Sequence, residues 1–128
     1  MSTSIYYEAR RARTLETSEQ EAIAQIEKAY AVEAQIERYA STGEGPNWES
    51  FCIYDPADPT APDVVFEGAT KLPDSSDDHI VTGVAHWCRA LSEIRLVLVD
   101  AEWWVHIDDI DVPWKDETQQ WDPWAADE

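Results

Sequence analysis

The feature that most limits how this chain can fold is one apolar stripe. Ile80, Val84, Trp87, Cys88, Leu91, Ile94 and Leu98 recur at helical spacing, holding a single face over about five turns. Ser75, Ser76, Asp77 and Asp78 precede it, supplying N-cap oxygens and the negative charge favoured at a helix N-terminus. His79 and His86 fall on the outer face, two turns or roughly 10 Å apart, too far to share a metal ion with ligand bonds near 2 Å. Both are read as facing solvent.

Alternation then finds strands for this helix to cover. Residues 100–111 read as the last long strand, with Trp103, Val105 and Ile107 on one face and Trp104, His106 and Asp108 on the other. Near the N-terminus Ile5, Tyr7 and Ala9 alternate with Tyr6, Glu8 and Arg10, a half-buried strand. Arg10, Arg11 and Arg13 form a basic cluster, whose ordinary fate in so acidic a chain is pairing with carboxylates. Thr17 with Gln20, and Ser18 with Glu21, make two overlapping capping boxes that start a helix. Its Ile23, Ile26 and Tyr30 lie nearly opposite Val32, Ile36 and Tyr39, so a break is predicted near Ala31, with a second short helix to about Ala40. Gly43, Gly45 and Pro46 then end the helical region.

Residues 48–54 are predicted as a second strand, with Phe51 and Ile53 inward and Cys52 and Tyr54 outward. The prolines at 56, 59 and 62 make a stiff connector, and residues 63–70 form a third strand, antiparallel to the second, with Gly68 as a bulge. The order β-α-β-β-α-β predicts an α+β fold, a ferredoxin-like two-layer sandwich with a four-stranded antiparallel sheet in strand order 4-1-3-2 and one face covered by helices. At 128 residues the chain reads as a single domain, 1–128. Residues 112–128 form an acidic, Trp-rich C-terminal extension in which Trp114 and Trp121 flank a turn-forming stretch suited to a hairpin.

The net charge of −18 argues against direct binding to nucleic acid or an anionic membrane. Half of it falls in residues 100–128, where Lys115 is the only base and five of the seven tryptophans also lie. The opening residues are too few and too polar for a signal peptide, and no run approaches the roughly 20 apolar residues of a membrane span; a soluble, cytoplasmic protein is expected. Cys52 and Cys88 lack metal or redox spacing and read as small buried hydrophobes.

Serine nucleophile elbows, zinc-protease and zinc-cysteine patterns, phosphate loops and dinucleotide fingerprints are all absent. Residues 108–111 lack the glycine and terminal glutamate of a calcium loop. His106 and Asp108 could converge from one strand face, but a metal or general base would need a third group, such as Glu8. No cofactor or metal is expected. Two readings follow. The first is a non-catalytic acidic interaction module, such as an immunity or antitoxin-like inhibitor, that receives a basic protein on Glu102, Trp104, His106, Asp108, Asp109, Asp111, Trp114 and Trp121. The second is a small-ligand or enzymatic domain using the open sheet face around Glu8, Arg10, His106 and Asp108. A homodimer through that face, or coverage by the tail, are further expectations for the same surface.

Overall fold

A computed structural model describes residues 3–54 and 61–123. Most of the proline-rich connector (55–60) and the end of the acidic tail (124–128) lie outside the described residues. The fold is mixed α and β: β1 (Ser4–Arg10), α1 (Thr17–Ala29), α2 (Glu33–Thr42), β2 (Val64–Lys71), α3 (Asp77–Val97), β3 (Glu102–Ile107), β4 (Ile110–Asp111), β5 (Trp114–Lys115) and β6 (Gln120–Trp121). A four-stranded antiparallel sheet runs in the order β2-β1-β3-β4, and β5 and β6 form a separate hairpin.

The central strand β1 sends Ile5, Tyr7 and Ala9 into the core, where they meet Phe66, Val105, Val84, Trp87, Leu91 and Ile94. The long stripe of α3 is thus buried as its spacing predicts, and Ser76 caps the helix by accepting a hydrogen bond from the His79 backbone N–H at 3.2 Å. The helix break is present: α1 ends at Ala29, α2 begins at Glu33, and Val32 between them is buried. The N-cap of α1 is Glu16, one residue before the first predicted cap, Thr17, and its capping box pairs with Glu19. Glu19 reaches back to the Glu16 backbone N–H at 2.8 Å, because Arg11 and Arg13 hold its carboxylate there.

Several expectations need correction. Residues 48–54 keep their alternation, with Phe51 and Ile53 turned inward and Cys52 and Tyr54 outward, but they form a single bridge, Ile53 to Gly68, instead of a strand. The fourth strand is β4, on the opposite edge. Side chains replace the missing ladder. The Tyr7 hydroxyl donates to the Cys52 carbonyl, and the Cys52 N–H donates to Thr70 Oγ1 at 3.2 Å. Thr70 Oγ1 in turn lies 2.8 Å from the Tyr7 hydroxyl. With its proton on Cys52, Tyr7 accepts from Thr70, so the three groups close a ring that burial reinforces by pushing the Tyr7 phenol well above its ordinary pKa. Gly68 is required by this approach and not by a bulge, since a Cβ there would sit 2.1 Å from the Cys52 carbonyl oxygen. The bulge falls instead between Ala9 and Arg10, opposite Val64 and Phe66.

The second correction concerns His86. It is half-buried, with its ring edge-on to Tyr30, Trp48 and Trp87. Its Nε2–H donates to the Tyr30 carbonyl oxygen at 2.8 Å, tying α3 to the end of α1. Helical spacing put His86 on the outer face, facing solvent, and could not show that a second helix end reaches it. His79 is also only half-exposed and lies against Ser75. Cys88 is buried as expected, whereas Cys52 is exposed.

Candidate functional site

Antiparallel register puts directly opposed residues on the same face of the sheet. Tyr6 pairs with His106, Glu8 with Trp104, Arg10 with Glu102, and His106 with Asp111. On the β2 side Glu8 opposes Glu67 and Tyr6 opposes Ala69. All of these residues lie on the face turned away from the helices, since Ile5, Tyr7 and Val105 occupy the other one.

Three rings run across this face. His106 is sandwiched between Tyr6, with centroids 4.9 Å apart and planes at 11°, and Trp104, at 4.1 Å and 24°. The indole N–H of Trp104 donates to Asp111 Oδ1 at 2.8 Å, which fixes the ring plane, and Nδ1 of His106 donates to the Asp108 backbone carbonyl at 2.8 Å. Tyr6 and Trp104 remain 38% and 49% exposed, so this ladder is an organised aromatic surface that meets solvent. The bases beside it are already engaged. Arg10 holds Glu8 through two nitrogens and Asp63 at 3.0 Å, which raises its pKa, Glu8 contributing most; Lys71 pairs with Glu49.

The predicted partner-binding residues divide into two groups. Glu102, Trp104, His106 and Asp111 share the open face. Asp108 and Asp109 form the turn between β3 and β4 at its end, and Asp108 leaves the strand entirely, with φ at +49°. Trp114 and Trp121 are elsewhere. They face each other across β5 and β6, and Trp121 is only 6% exposed. Its backbone N–H donates to Ser92 Oγ of α3 at 3.0 Å, its ring approaches Trp103 on the core face, and Arg95 lies 4.1 Å over Trp114 and 4.8 Å from the Trp121 ring. The expectation of one continuous surface from Glu102 to Trp121 is therefore corrected. The hairpin closes on α3 because its own tryptophans find a helix and a cation there. Among the described residues it leaves the open sheet face uncovered, so the expectation of a tail over that face is corrected too.

Nor do Glu8, Arg10, His106 and Asp108 converge. Arg10 neutralises Glu8, and His106 meets only the backbone of Asp108. Among the described residues no three His, Cys, Asp or Glu side chains form a group that could hold a metal ion, and no helix is long and apolar enough to cross a membrane. Strand alternation pointed to Tyr6, but its stacking on His106 depends on the β1–β3 register, which no local pattern specifies. Comparison with protein-family models, curated proteins and solved structures gave no match to this chain.

Proposed function

We propose that this protein is a non-catalytic acidic interaction module whose open sheet face docks a basic protein, in the manner of an immunity or antitoxin-like inhibitor covering a cationic surface. The observation that carries this reading is the exposed ladder Tyr6–His106–Trp104, bordered by Glu102, Asp108, Asp109 and Asp111. Aromatic rings held in fixed planes cost little further entropy on docking and offer their faces to arginine and lysine side chains. The surrounding carboxylates accelerate encounter with a positive surface. A second copy is disfavoured on this face because it would bring two chains of −18 together. We also read the scaffold as a ferredoxin-like sandwich with one edge strand reduced to the bridge at Ile53, supported by the order and directions of β1, β2 and β3.

The test begins with capture from native lysate at low and high salt, followed by association kinetics on the purified partner. The expected partner is basic and released by salt. Neutralising Glu102, Asp108 and Asp109 together should lower kon and flatten its salt dependence. Trp104→Ala should instead raise koff by about tenfold or more, as the loss of a desolvated aromatic anchor does. An acidic partner, salt-indifferent affinity or an unchanged koff in Trp104→Ala would overturn the proposal.

A further inference from the structure

On the helical side of the sheet, α1 stands away from β2 and the segment 50–54. Ile23 is its one buried residue, and the gap that remains is a cleft of about 570 Å³, within the range of roughly 300 to 1,000 Å³ typical of small-molecule sites. Leu15, Ile23, Phe51, Ile53, Val65 and Phe66 give it an apolar lining. Glu27 stands on the α1 side, at the junction with a second cavity of about 530 Å³ that shares Glu27, Ser50 and Phe51.

We propose that this cleft binds a small amphiphile with an apolar body and a cationic head, an amine or guanidinium, whose charge is met by Glu27. Glu27 is half-buried, and no hydrogen bond or ion pair engages it among the described residues. Burial raises its pKa, the sign of a carboxylate that has lost water without gaining a partner. Lys28 lines the neighbouring cavity but points no bond at Glu27. A ligand cation supplies what the site lacks, while an anionic head would meet Glu27 with like charge. The apolar walls select the body and the carboxylate selects the head. The cleft lies on the helical side of the sheet, away from the Trp104 face, so the two proposals stand or fall separately.

The probes are octylamine, 1-octanol and octanoate, titrated at neutral pH into the full-length ¹⁵N-labelled protein. Octylamine should shift the amides of Ile23, Glu27, Phe51 and Cys52 and bind about tenfold tighter than octanol, the scale of one charge-assisted hydrogen bond; octanoate should bind weakest. In Glu27→Gln the preference for amine over alcohol should collapse to within about twofold while octanol affinity is kept, which also shows that the variant is folded. As a second readout in the unaltered protein, octylamine should slow alkylation of the exposed Cys52, which lines the cleft, by neutral iodoacetamide. Shifts spread over the acidic surface, an amine preference that survives Glu27→Gln, or an unprotected Cys52 would overturn the proposal.

Discussion

Tyr7→Phe removes one oxygen and nothing else, which makes it the sharpest probe of how the segment 50–54 is held. The ring remains stacked on Phe51 at 4.7 Å and tilted against Phe66 at 5.7 Å, so no cavity opens. What is lost is the donor to the Cys52 carbonyl and the group beside Thr70 Oγ1. A buried acceptor left without its donor costs about 1 to 3 kcal/mol. The bond is only partly buried and Cys52 is exposed, so water can recover part of that and the expected loss is about 2 kcal/mol, the middle of the range. For a domain of this size that is roughly a 6 to 10 °C fall in the thermal midpoint. Urea unfolding gives the free energy directly, and hydrogen exchange should show faster exchange at the amides of Cys52 and Tyr54, which bond to Thr70 and to the Glu67 carbonyl. Tyr6→Phe is the matched control, because the Tyr6 hydroxyl makes no hydrogen bond among the described residues. If Tyr7→Phe loses less than about 0.5 kcal/mol, or no more than Tyr6→Phe, the hydroxyl ring is not what replaces the missing strand.

Three further outcomes are expected. Gly68→Ala should cost about 3 kcal/mol in urea melts, because its Cβ would lie 2.1 Å from the Cys52 carbonyl oxygen and 2.5 Å from the Tyr7 ring. The Arg11 side chain, only 4% exposed, bridges Glu19 and Asp100, and Arg11 holds the Glu19 carboxyl down to about 2 against an ordinary 4.5. A depressed carboxyl stabilises the fold above its ordinary pKa, so that contribution should be lost as pH falls from about 4.5 toward 2; in acid titrations Glu19→Gln should flatten this limb and lower neutral-pH stability by about 3 kcal/mol. Finally, iodoacetamide should modify native Cys52 and spare Cys88, whose buried thiol is pushed up to about 12; peptide mass mapping distinguishes the two, and equal rates would contradict the packing of α3.

Much of this architecture was written in periodicities that act locally. The α3 stripe, the alternation of β1 and β3 and the change of helix face at Val32 each follow from side chains a few residues apart. The edge beside β2 was not readable in that way. Phe51 and Ile53 alternate as strand residues do, yet their neighbours' backbone groups are taken by Tyr7 and Thr70, partners 45 and 18 residues from Cys52. The tail was ambiguous for the opposite reason. Trp114 and Trp121 suit either a partner or a fold, and Ser92 and Arg95, spaced so as to share one flank of α3, decide for the fold. The candidate face was half legible: alternation selected Trp104 and His106, but the ladder exists only because the β1–β3 register sets Tyr6 beside His106.

Asp111 shows why charge and aromatic anchoring on this face have to be separated deliberately. Its carboxylate adds to the acidic border and also receives the Trp104 indole N–H, so deleting it removes a charge and frees the ring at once. Asparagine keeps a carbonyl oxygen that can accept the same hydrogen bond, whereas alanine keeps nothing. Asp111→Asn therefore changes mainly the field that steers encounter, and Asp111→Ala changes that field together with the orientation of the docking ring. The side chains of Glu102, Asp108 and Asp109 carry no such second duty in the ladder: Asp108 holds His106 through its backbone carbonyl, which Asp108→Asn leaves in place. Their neutralisation reports the field alone, and the difference between the two Asp111 variants reports what a fixed Trp104 plane is worth to a bound partner.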